Sequence, residues 1–116
     1  MIRFAERQVR KILSGEKKFT RINVPCPWTS GEVITAVHLV DEIDRPFATL
    51  KIARIIEHKL GELSDDDARL EGYSSRAEFL TAWEAIHGSA NVEEKVWAIE
   101  FELVRHIGDE ELSFLS

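Results

Sequence analysis

Residues 95–105 constrain this chain more than any other stretch. Trp97, Ile99, Phe101 and Leu103 alternate there with Ala98, Glu100 and Glu102. A period of two marks a strand with one buried and one wetted face, and a slip of one residue would turn every apolar side chain to water. The chain must therefore build a sheet with an inside and an outside. Residues 32–41 and 47–58 supply two more runs rich in β-branched and apolar residues, split by the polar segment 42–46. They predict antiparallel strands joined by a turn. Residues 17–23 predict a shorter first strand.

Helical patterns fall between these runs. Over residues 4–14, Ala5, Val9, Ile12 and Leu13 share one helix face, Arg3, Arg7 and Arg10 follow another, and Gly15 is the stop signal. Ser64-Asp65-Asp66-Asp67 resembles a capping box with Asp in place of Glu, and Ser75-Arg76-Ala77-Glu78 fits that motif fully. Phe79, Leu80, Trp83 and Ile86 then form an apolar stripe that Gly88 ends. Trp83 and Trp97 both lie on core-facing stripes. The order is helix, strand, two strands, two helices, strand. It predicts an α+β domain with a small, curled, mostly antiparallel sheet or barrel closed by its last strand. The long connection from residue 58 to 95 crosses one end of that sheet, where it can roof a cleft.

A length of 116 residues fits one domain with one core, with residues 108–116 as a short tail, acidic and then apolar at Phe114-Leu115. No apolar run reaches the roughly 18–20 residues of a membrane span. The charged N-terminus, Met1-Ile2-Arg3-Phe4-Ala5-Glu6-Arg7, lacks the apolar region of a secretory signal. Cys26 is the only cysteine, which excludes an intrachain disulfide and a cysteine-rich metal site. A reducing, cytoplasmic setting is the expectation.

The net charge of −6 argues against a protein that coats long duplexes by neutralising phosphates. Charge is nonetheless uneven. Residues 1–21 hold Arg3, Arg7, Arg10, Lys11, Lys17, Lys18 and Arg21 against two glutamates, a balance of +5. That segment is either the meeting point for an anionic ligand or a solvated helix face.

Three places carry residues suited to chemistry. Gly15-Glu16-Lys17-Lys18-Phe19-Thr20-Arg21 joins a tight turn to two cations and a hydroxyl. It is either an anion- or base-binding turn with a candidate Thr nucleophile, or a helix cap followed by an exposed strand. Trp28, in the proline loop Val24-Pro25-Cys26-Pro27-Trp28, either stacks on a base or packs on the end of the sheet. Tyr73 follows Glu71-Gly72 and can line the same cleft. His38, His58, His87 and His106 show no paired spacing, so no zinc site is expected. Asp65-Asp66-Asp67 is better explained as a negatively charged helix start than as a cation site.

Taken together, the Gly-x-Lys-x-x-Thr turn, the segment 63–79 running into Trp83, and the closing Val96-Trp97-Ala98-Ile99-Glu100-Phe101 resemble the ASCH domain family over about residues 4–104. The resemblance implies a PUA-like β-barrel with a cleft between barrel and helical crossover, and an association with RNA. One branch of the family consists of small N4-acetylcytidine amidohydrolases. By resemblance to that branch, Lys17, Thr20 and Glu71 take the catalytic lysine, threonine and glutamate positions. Gly15, Lys18, Arg21, Trp28 and Tyr73 are the candidate substrate contacts. The ligand is then a nucleoside or single-stranded RNA, with no cofactor and no metal. A non-catalytic RNA-binding module and a ribonuclease are the alternatives.

The trio is chemically coherent. Amide hydrolysis needs a nucleophile, a base and a stabilised oxyanion. Lysine serves as the base only when burial or a neighbouring cation lowers its pKa. One departure matters: many family members carry arginine where this chain has Ile22, and Arg21 stands one place earlier. In a regular strand that shift sends the side chain to the other face, and the same alternation puts Thr20 opposite Lys17 and Arg21.

Overall fold

The computed structural model describes residues 1–107. The tail assigned to 108–116 lies outside them. The elements in chain order are β1 (Ile2–Phe4), α1 (Glu6–Leu13), β2 (Phe19–Ile22), β3 (Val33–Val40), β4 (Ile43–Lys59), a 3-10 turn (Leu60–Glu62), α2 (Asp65–Leu70), α3 (Arg76–His87) and β5 (Lys95–His106). The five strands form one curled sheet in the order β1-β3-β4-β5-β2. All neighbours are antiparallel except β1 and β3. Among the described residues the last strand does not close a barrel. β5 lies inside the sheet, β1 and β2 form its edges, and the result is a half-barrel.

Three local readings are corrected. The helix expected over 4–14 is shorter, because Ile2 and Phe4 turn inward from an edge strand and only Glu6–Leu13 is helical. The turn expected over 42–46 is instead the two residues Asp41 and Glu42, both at positive φ (50° and 65°). Two left-handed residues suit the twist of a tight hairpin, so β4 starts at once and runs on. Pro46 is tolerated within it beside a break in register at Ala36/Val37. The Ser75 box forms by half. The Ser75 hydroxyl accepts from the Glu78 amide at 3.1 Å, while the Glu78 carboxylate takes the Ser74 hydroxyl instead. The Ser64 box is complete, with Asp67 in the reciprocal role.

The packing divides in two, against the expectation of a single core. The larger cluster fills the curl of the sheet under α1 and includes Phe4, Ile12, Leu50, Ile52, Ile99 and Phe101. A smaller one joins the crossover helices to the start of β5 through Leu60, Leu63, Ala68, Phe79, Trp83 and Val96. Trp83 is buried, Trp97 only half-buried, and Ile86 points to solvent although it continues the apolar stripe. This second cluster fixes α2, whose C-terminal end meets the turn that enters β2, and the site is built there.

Candidate functional site

α2 is short and held at its start by the Ser64–Asp67 box. Its C-cap is Glu71, after which Gly72 turns the chain at φ +95°. The turn from α1 into β2 meets it. The Lys18 amide donates to the Leu70 carbonyl at 2.7 Å, the Lys11 amine donates to the Gly72 carbonyl, and the Lys17 amide bonds back to Lys11 at 2.9 Å. A Cβ on Gly72 would come within 3.0 Å of Lys11 Cδ and 3.7 Å of Lys17 Cβ, so glycine allows this close approach.

These contacts bury a charged network. Lys17 Nζ donates to the Glu71 carbonyl at 2.8 Å and to Glu71 Oε1 at 3.1 Å. Arg21 Nη1 donates to Glu71 Oε2 at 2.9 Å. The three side chains expose 1%, 5% and 3% of their surface for Lys17, Arg21 and Glu71. Arg21 Nε donates to His58 Nε2 at 2.9 Å. Burial pushes the Lys17 amine below its ordinary value. The Glu71 carboxylate opposes this without overcoming it, and the nearby charges of Arg21 and Lys11 add to the depression. Burial raises the Asp67 carboxyl, but hydrogen bonds from Ser64 and the charge of Arg21, joined by that of His58 when protonated, outweigh it and hold the group below the usual carboxylate range.

A cavity of about 290 Å³ opens beside this network. Ile12, Gly15, Lys17 and Lys18 line one wall, and Glu100, Phe101, Glu102 and Leu103 of β5 line the other. It lies where β2 stops covering β5: the last backbone bond between them runs from the Phe101 amide to the Lys18 carbonyl at 3.0 Å. Its volume is at the lower end of small-molecule sites, which span about 300–1,000 Å³. Among the described residues no cluster of His, Cys, Asp or Glu is placed to hold a metal, and no helix is long and apolar enough to cross a membrane.

The chain matches no protein-family model and no curated protein sequence. Its fold does match solved structures. The ASCH domain from Lactobacillus crispatus superposes with a TM-score of 0.63 at 17% identity, over 91% of this chain and 81% of that one. ASCH from Zymomonas mobilis gives 0.61 at 16%, over 98% and 76%. Protein EF3133 from Enterococcus faecalis, a DUF984 protein, gives 0.66 at 15%, over 91% and 72%. The chain has the ASCH fold.

On this ASCH fold the expected residues fall into two groups. Lys17, Glu71 and Arg21 meet directly, so Arg21 does reach Glu71 despite its shifted position. Gly15 and Lys18 line the cavity with Lys17. Thr20 falls on the other face. It pairs with Ile99 of the larger core, whereas Arg21 stacks over Phe19 at 5.7 Å, on the side that faces α2. Among the described residues the Thr20 hydroxyl has no hydrogen-bond partner. Trp28 packs against the larger core. Tyr73 packs edge-on against Phe79, and its hydroxyl accepts from Gln8 at 3.3 Å. Neither aromatic residue lines the cavity. Sequence reasoning missed Glu100 and Glu102 as cavity residues and His58 as a partner of Arg21. The cavity wall was legible only as a strand, and His58 sits 37 residues from Arg21 with no motif to join them.

Proposed function

We propose that this chain is a nucleoside amidohydrolase that removes an acyl group from N4 of cytidine, with the Lys17 amine as its base. One observation carries the reading: Lys17, whose amine is almost without exposure and has its basicity lowered by burial, is one of the residues that line a nucleoside-sized cavity. Strongly perturbed groups beside clefts mark functional sites more often than chance. A neutral amine has two hydrogens and one lone pair. Two hydrogens match the two Glu71 oxygens within reach, which leaves the lone pair for a nucleophile's proton. In that role Lys17 takes the proton as the nucleophile attacks the acyl carbon. It then returns it to N4 as the C–N bond breaks, releasing cytidine. A water nucleophile leaves with the acyl group as a carboxylate, whereas a threonine nucleophile holds it as an ester that a water then hydrolyses to carboxylate. Glu71 orients the amine, and Lys18 at the rim suits the carbonyl or sugar side of the ligand.

Thr20 is the candidate nucleophile by resemblance, and its unpartnered hydroxyl is compatible with that role. Its placement on the sheet face away from Lys17 favours a second reading, a non-catalytic module that binds RNA or nucleosides in the same cavity. An assay with N4-acetylcytidine separates the two. The hydrolase reading expects conversion to cytidine by the wild type, and loss of conversion in Lys17→Met. Thr20→Ala tells a threonine nucleophile from a water. Without conversion in the wild type the binding reading takes precedence, and the salt dependence of binding to short RNAs reports on phosphate contacts.

A further inference from the structure

β4 ends in Glu57-His58-Lys59, and the half-buried imidazole of His58 faces two groups of fixed character. Its Nδ1 lies 2.6 Å from the Lys59 carbonyl oxygen, which only accepts, so Nδ1 carries a hydrogen. Its Nε2 lies 2.9 Å from Arg21 Nε, which only donates, so Nε2 presents its lone pair. Both contacts are met at once by a single tautomer of the neutral ring. Arg21 donates on both sides, from Nε to His58 and from Nη1 to Glu71 Oε2, and Oε1 of the same carboxylate accepts from Lys17.

We infer that His58 is a positioning residue that fixes Arg21 on Glu71 and, by taking a proton at Nε2, releases it. The inference rests on the reading of Lys17 as base for its effect on turnover, but not for its structural content. With His58 neutral, Arg21 occupies one carboxylate oxygen and leaves Lys17 a half-shared counter-ion. A proton on Nε2 turns that acceptor into a donor and sets two cations against each other, so the bond is lost. Glu71 then serves Lys17 alone and favours its charged form, which cannot act as a base. The other charged groups around the ring are Asp67 on α2, which feels both His58 and Arg21, and the pairs Lys59–Glu93 (2.8 Å) and Glu57–Lys95 (3.0 Å) along β4 and the approach to β5. Both of those pairs are already neutralised internally.

Two measurements decide it. In nitrogen-resolved NMR of the wild type, the Arg21 Nε–H signal is expected to be protected from solvent exchange near neutrality and to be lost in step with His58 protonation. In His58→Gln, whose amide oxygen accepts without titrating, the signal should persist across the same range. A signal indifferent to His58 protonation overturns the inference, whether or not the protein hydrolyses anything. In the acylcytidine assay, His58→Leu should lower kcat on the order of 10²-fold through misplacement. His58→Gln should recover most of that loss and shift the acid limb of the pH profile. An acid limb unchanged in His58→Gln contradicts the gating. A wild type without turnover, but with the expected NMR behaviour, rejects the hydrolase and keeps the positioning role.

Discussion

Lys17 Nζ lies 3.1 Å from Glu71 Oε1, in a place where neither side chain exposes more than 3% of its surface. Two elements far apart in the chain are tied at that point: the turn before β2 and the C-cap of α2. Because Glu71 also receives Arg21, it is the shared acceptor of two buried basic groups.

Glu71 should therefore matter more to stability than Lys17. Glu71→Ala strands the Lys17 amine and the Arg21 guanidinium, and removing the partner of a buried charge in this way costs about 3–5 kcal/mol. Lys17→Met keeps the volume and leaves Glu71 held by Arg21, so a loss of about 1–3 kcal/mol is expected. Urea midpoints of the two variants test the order.

The depressed Lys17 pKa also fixes a sign. Its ordinary value is 10.5, and the folded value is lower. Between the two, the unfolded chain holds the proton and the folded chain does not, so stability rises with pH across that window. The free energy of unfolding of the wild type, measured from neutral pH to about 10.4, should climb relative to Lys17→Met. A difference that is flat or falls with pH contradicts the assignment.

The two glycines that flank the site should respond unequally. Gly15 and Gly72 both have positive φ, but a Cβ on Gly15 meets nothing within 4 Å, whereas one on Gly72 meets Lys11 at 3.0 Å. Backbone strain alone costs about 1 kcal/mol in Gly15→Ala. Gly72→Ala adds crowding of Lys11 and Lys17 and should lose about 1–3 kcal/mol. Thermal unfolding of both variants, with cavity binding measured alongside, checks the contrast.

Legibility in the sequence followed the range of the interactions. The strand over 97–103 and the Ser64 box are local, and both appear where expected, although the burial alternates less strictly than the sequence does: Ala98 is buried and Leu103 exposed. β1 was hidden because Ile2 and Phe4 are too few to set a period, and their partner, β3, lies more than thirty residues on. Asp41-Glu42 carries no glycine or asparagine to announce a two-residue turn. In the site, strand alternation did place Thr20 and Arg21 on opposite faces. It could not show that Glu71 lies on Arg21's side, because that depends on how the crossover docks. The docking comes from the second hydrophobic cluster, which neither α2 nor α3 reveals alone.

The account turns on one property, a Lys17 amine that gives up its proton more easily than lysine in water does. Titration of the Lys17 Nζ resonance by nitrogen-resolved NMR, assigned by its absence in Lys17→Met, measures this directly. The account predicts a midpoint below the ordinary lysine value of 10.5. A midpoint at or above 10.5 would make the amine a permanent counter-ion to Glu71 and remove the base on which the proposed hydrolysis depends.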